Sequence, residues 1–255
     1  MSLPVVRLPA DWTPSADALA GRVVLVTGAC GGLGGAVARA VARAGATVVI
    51  TDRRQRPLEQ LYDAMLAEGF TEPVIHPLDM ETATPADYEA LADGLAGELG
   101  RLDGLVHAAA DFAGLTPLAM HRPDDWLRTL HVNVSAPFAL TQACLPLLVA
   151  APDSAAVFVL DDPGLLGRAH WGAYGVSKAA LERFVAILHQ EHDEDALRVH
   201  ALLPAPMRTA LRRLAYAGED ALQVPTPQAT ADAVVWLLGA PAAGARGAVL
   251  DLRPA

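Results

Sequence analysis

In the stretch "WGAYGVSKAALERFV", which begins at Trp171, Tyr174 and Lys178 stand four residues apart in an amphipathic helix pattern. That spacing puts a phenol and an ammonium on one helix face. A phenol with its ordinary pKa near 10 is a poor base at neutral pH, and a neighbouring cation favours its ionised form. The pair is therefore suited to giving or taking a proton at a substrate oxygen. A second feature lies in "LHVNVSAPFALTQ", from Leu130. Pro137 comes four residues after Asn133 and has no N–H to return to that residue's carbonyl. The Asn133 carbonyl is expected to lack its helical partner and to be open to water.

Elements that could position such groups begin upstream. The apolar run "RVVLVT", from Arg22, leads into "GACGGLGGAVARA", with glycines 28, 32 and 34 where strand turns into helix, and a second strand, "TVVIT", follows. A turn of this kind lets backbone approach a pyrophosphate, and the helix N-terminus offers free N–H groups and the positive end of its dipole. In "VVITDRR", Asp52 lies at the end of that second strand, where a carboxylate accepts hydrogen bonds from ribose hydroxyls and repels a 2′-phosphate. Asp52 thus points to NAD. Arg53 is basic, as an NADP site would want, but Ala29 and Cys30 add no second positive charge within the loop.

Apolar runs continue with "PVIHPL" (from Pro73), "GLVHAA" (Gly104), "AVFVL" (Ala156), "RVHALLP" (Arg198) and "AVLDL" (Ala248), separated by helix-period segments. Strands apolar on both faces belong in a parallel sheet, and strand alternating with helix predicts right-handed crossovers with helices on both sides. The expectation is one α/β domain over residues 1–255, a doubly wound, mostly seven-stranded parallel sheet. The irregular segment Arg212 to Gln228, long for so terse a fold, reads as a substrate lid.

The 255 residues carry a net charge of −10, which argues against a nucleic-acid partner. Two distant cysteines make neither a disulfide framework nor a metal-ligand spacing, so no metal and a cytoplasmic location are expected. "MSLPVVRLPADW" lacks the apolar centre of a secretory signal. The stretch "FALTQACLPLLVAAP" is broken by Gln142 and Pro146 and reads as too short for a bilayer, so no membrane partner is expected.

The T-G-x-x-x-G-x-G loop, Asn133, Tyr174-x-x-x-Lys178 and the strand–helix order together resemble the short-chain dehydrogenase/reductases over nearly the whole chain. The stretches "WGAYGVSKA", "HVNVSAPFALTQACLPLL" and "VPTP" are most similar to YciK-type bacterial oxidoreductases. The resemblance implies a Rossmann-type fold, a nicotinamide cofactor (NAD or NADP), a small carbonyl or alcohol substrate and a homodimer or homotetramer. It further implies cofactor contacts from Thr27, Gly28, Gly31, Gly32, Leu33, Gly34, Asp52, Arg53, Asp79, Met80, Ala108, Ala109, Pro204 and Thr209. Tyr174 would be the acid/base. Lys178 would lower its pKa together with an oxidised nicotinamide and bind ribose, and Asn133 would hold a water linking Lys178 to solvent.

The chain departs from the family at three places. His107 replaces the first Asn of the usual N-N-A-G and is expected to be a structural hydrogen-bonder. Ala205 follows Pro204 where the family has Gly. Asp161, followed by Asp162, stands where a Ser usually donates to the substrate carbonyl. Only a protonated carboxyl can donate; an ionised one would oppose charge on the carbonyl oxygen and raise the pKa of Tyr174. Pteridine reductases of the same superfamily carry Asp here, where it serves proton delivery. Asp161 therefore leaves three expectations: a carbonyl/alcohol oxidoreductase, a pteridine-type C=N reductase, or a weakly catalytic nucleotide-binding redox sensor.

Overall fold

The apolar runs become strands as expected, and an eighth strand comes from the N-terminal segment. The computed structural model describes residues 3–254. Its strands are β1 (Val5–Val6), β2 (Val23–Thr27), β3 (Thr47–Thr51), β4 (Val74–Ile75), β5 (Gly104–His107), β6 (Ser154–Val159), β7 (Leu197–Leu203) and β8 (Val249–Asp251). They form one sheet in the order β1-β8-β7-β6-β5-β2-β3-β4, every pairing parallel. The expected seven strands are thus corrected to eight. Two valines between prolines carry no strand signal of their own; β1 exists because Val5 registers with Val249 and the Val249 N–H donates to the Pro4 carbonyl.

Helices α1 (Gly32–Arg43), α2 (Gln55–Ala67) and α9 (Gln228–Leu238) cover one face, sharing a core with Val24, Val26, Val48, Ile50 and Val157. Helices α3 (Pro85–Glu98), α5 (Ala136–Ala150) and α7 (Gly172–Glu191) cover the other, over Leu25, Val49, Leu105, Phe158 and Val199. Successive strand residues feed opposite cores, which is why these runs are apolar throughout. Shorter helices α4 (Pro123–Leu130), α6 (Pro163–Leu166) and α8 (Ala210–Ala215) lie in the connections.

A π-turn, His131–Ser135, joins α4 to α5 in one run, Pro123–Ala150, of 28 residues, within which an 18-residue window has a mean hydropathy of 1.5. By length and composition alone this run is long and apolar enough to cross a bilayer. In the fold, Leu140, Cys144 and Leu148 are fully buried against the sheet.

The sheet grows one way from β2 through β3 and the other way from β5 through β6. Carboxyl ends of strands at such a reversal form a crevice. Thr27 spans it: its hydroxyl accepts from the N–H groups of Ala108 and Ala109, both at 3.1 Å.

Candidate active site

The crevice opens into a cavity of about 840 Å³. Its floor is the glycine loop. Gly28 has φ +64°, and a Cβ there would come 2.7 Å from Ala109 Cα; a Cβ on Gly34 would come 2.1 Å from the Gly28 carbonyl oxygen. No side chain caps α1, and its first turn holds no acidic residue, so the positive helix end at Gly32, Leu33 and Gly34 faces the cavity uncompensated. The loop therefore fits a diphosphate.

At one end lie Asp52, Arg53, Asp79 and Met80. Asp52 Oδ2 accepts from the Cys30 N–H at 3.2 Å, and its Oδ1 lies 3.2 Å from Nε of Arg54. Arg54 also reaches the Cys30 carbonyl. The carboxylate expected to repel a 2′-phosphate is thus already ion-paired, and two guanidiniums stand at this end. Asp79 ties its own loop, accepting from the Glu81 N–H at 3.0 Å.

The other end holds Asp161, Tyr174 and Lys178. Tyr174 and Lys178 share a face of α7 and are only 4% and 5% exposed. The Tyr174 hydroxyl donates to Asp161 Oδ2 at 2.9 Å, and the Asp162 N–H donates to Asp161 Oδ1 at 2.8 Å. Lys178 Nζ donates to the Val159 carbonyl at 2.7 Å and lies 5.6 Å from the centre of the Tyr174 ring. Burial first, then the Asp161 charge and hydrogen bond, push the Tyr174 phenol well above its ordinary value. The expectation that Lys178 holds that phenol down is corrected: in this arrangement the carboxylate touches the hydroxyl and the ammonium does not. Burial lowers Lys178 itself to about 8, against an opposing pull from Asp161.

The helix opens at Asn133 as Pro137 requires; the Ala136 N–H reaches back five residues to the His131 carbonyl. The Asn133 side chain has a further task. It donates to the Asp111 carbonyl and to Ser177 Oγ, both at 2.9 Å, and accepts from the Asp111 N–H at 2.7 Å. It lies behind the cavity wall, tying the loop after β5 to α7.

His107 is a structural hydrogen-bonder: 3% exposed, stacked on Phe158, its Nε2 2.9 Å from Thr141 Oγ1. Burial, with Lys178 nearby, pushes it down to about 3, so the ring is neutral. Pro204 and Thr209 line the cavity, and the Thr209 hydroxyl caps α8 by accepting from the Arg212 N–H. The segment read as a lid begins inside α8; Leu211, Arg212, Ala215 and Tyr216 line the cavity.

Sequence reading missed Arg7, Arg253 and Phe112. Arg253 donates to Asp162 at 2.7 Å and to both oxygens of Asp251, while Arg7 donates to the Arg253 carbonyl. No motif announces two residues at opposite chain ends; β1 and β8 bring them together. Phe112 lies behind Trp171 and Tyr174, with ring centres 5.5 and 5.1 Å away.

A cradle for a dinucleotide diphosphate on a doubly wound sheet, ending at a Tyr-x-x-x-Lys pair, defines a nicotinamide-dependent oxidoreductase. The chain belongs to the short chain dehydrogenase family, whose model matches residues 22–220. It is 36% identical over 243 residues to the oxidoreductase YciK of Escherichia coli K12, a match covering 95% of this chain and 96% of that one. The solved structure of yciK from E. coli, 36% identical, superposes with a TM-score of 0.91 over 96% of this chain and 100% of its own. A short chain dehydrogenase from E. coli CFT073, solved complexed with NADPH, has the same TM-score and 36% identity, over 94% of this chain and 100% of its own.

Proposed function

We propose that this protein is an NADP(H)-dependent oxidoreductase acting on a small substrate whose reacting C=O or C=N bond lies against Asp161 and Tyr174. The observation that carries the reading is the single cavity that runs from two arginines, over an uncapped helix end, to the Tyr174–Asp161 pair. A bound nicotinamide supplies or accepts the hydride. Gly32, Leu33 and Gly34 hold its diphosphate, Asp79 and Met80 its adenine end, and Thr209, Pro204 and Lys178 its nicotinamide end. Tyr174 hydrogen-bonds the reacting oxygen or nitrogen and gives it a proton on reduction of a ketone; Asp161 donates to that atom only when protonated. Asn133 ties the loop after β5 to α7, the helix that carries Tyr174 and Lys178.

NADP in place of the NAD read from Asp52 is supported by the Arg54–Asp52 ion pair, which cancels the repulsive charge, and by the NADPH complex of the CFT073 relative. Fluorescence titration with both reduced cofactors tests this. NADPH binds more tightly than NADH, and Arg54→Ala abolishes the difference. Equal or tighter NADH binding would reject NADP, and binding of neither would reject the reading as a whole. We also take the chain to be a cytoplasmic homo-oligomer, a view supported by two free cysteines and by Phe138, Val176 and Ile187, about half exposed on α5 and α7.

A further inference from the structure

Most carboxylates lining the cavity already have cationic partners. Asp52 pairs with Arg54, Glu81 with Arg53, Asp111 with Arg128, and Asp162 and Asp251 with Arg253. Asp161, at the reacting centre, does not. Its oxygens are met by a phenol O–H and a backbone N–H, and among the described residues it forms no ion pair. Beside it, Trp171 and Tyr216 line the cavity with ring centres 6.3 Å apart, and the Trp171 ring lies 6.0 Å from that of Tyr174. The cations nearest this end are engaged elsewhere. Lys178 is bonded to Val159, and Arg212 donates to both oxygens of Glu219 at 2.6 Å with its guanidinium 4.6 Å above Tyr216. One aromatic wall thus already holds a cation over its face.

A carboxylate free of ion pairs beside aromatic rings is the chemistry that recognises a positively charged organic group. Resting on the proposed oxidoreductase reading, we propose that the substrate is a small iminium cation, its C=N⁺ group held against Asp161 and its apolar body against Trp171 and Tyr216. Reduction then needs no proton donor. The hydride, with its electron pair, forms the new C–H bond at the iminium carbon. The C=N π pair becomes the nitrogen lone pair, and the dihydronicotinamide is left oxidised. Positive charge leaves the substrate as it appears on the cofactor. A ketone would instead build an oxyanion beside Asp161, which an ionised carboxylate opposes. The iminium step also tolerates a Tyr174 phenol that keeps its proton, and the chain's net charge of −10 favours the approach of a cation.

The test uses the full chain with NADPH, N-methyl-3,4-dihydroisoquinolinium as permanent cation and 1-tetralone as neutral ketone of similar shape. Loss of NADPH is followed after subtracting the protein-free rate. Binding of the unreactive N,N-dimethyl-tetrahydroisoquinolinium to the NADPH complex is measured by calorimetry. Wild type reduces the iminium in preference to the ketone and binds the quaternary ion. Asp161→Asn weakens both by roughly ten- to a hundredfold, the scale of a lost hydrogen-bonded charge contact. If wild type prefers tetralone, or Asp161→Asn leaves quaternary-ion binding unchanged, the iminium inference is overturned while the oxidoreductase reading stands. Failure to bind NADPH at all would remove that reading and the inference with it.

Discussion

Replacing Gly34 by Ala tests the cofactor cradle directly. The added Cβ would lie 2.1 Å from the Gly28 carbonyl oxygen and 2.6 Å from its carbon, so backbone must move by about 1.3 Å to restore ordinary contact at 3.4 Å. The loop cannot simply retreat. Gly28 sits against Ala109, and the Ala29 N–H is bonded to the Thr51 carbonyl on β3. The cost is therefore at the upper end of overpacking, about 3 kcal/mol, or several degrees in Tm for a chain of this size. The displaced α1 terminus loses a donor to the diphosphate, which weakens NADPH binding by roughly tenfold or more. Gly97→Ala is the control. It lies in α3 with nothing within 4 Å of its Cβ position, and gains about 0.5–1 kcal/mol from helix propensity. Both variants are followed by thermal melting and by fluorescence titration with NADPH. A Gly34→Ala protein that melts no lower than wild type and binds NADPH as tightly would refute the close-approach argument.

Three other outcomes follow from the buried charges. Asp161→Ser removes a charge and an acceptor that raise the Tyr174 phenol, so ultraviolet difference titration finds Tyr174 ionising at lower pH in the variant; identical titrations would contradict the assigned cause. Lys178, lowered by burial to about 8 from an ordinary value of 10.5, is costly to bury charged, and below about pH 8 both folded and unfolded chains hold its proton. Lys178→Met therefore stabilises the cofactor-free protein by about 3 kcal/mol at pH 7. The gain fades as pH rises from 8 towards 10.5, and a pH-independent difference in urea midpoints would rule the mechanism out. Arg198, 2% exposed, donates to the carbonyls of Leu237 and Leu238 and to Asp153. Arg198→Ala costs about 3 kcal/mol in chemical denaturation because it strands those acceptors, and a loss under about 1 kcal/mol would show the cluster to be unimportant.

What could be read along the chain was local. Apolar runs for β2, β3, β5, β6 and β7, the glycine loop, and the Tyr174–Lys178 face of α7 each follow from residues within a few positions of one another. So does the opened helix at Asn133, because a proline withholds one N–H wherever it is placed. The tertiary structure decided everything that joins distant segments. Val5 and Val6 are a strand only because β8 offers an edge, and Arg7 reaches the Arg253 carbonyl across 246 positions. The Arg54–Asp52 pair, on which the proposed NADP preference rests, depends on how the chain turns out of β3. Asp161 was visible as an unusual residue, but its effect depends on a 2.9 Å contact with the Tyr174 hydroxyl while Lys178 bonds elsewhere. Residue types set which charges could matter. Burial and distance, which scale the Coulomb interaction and the cost of desolvation, determine which of them do.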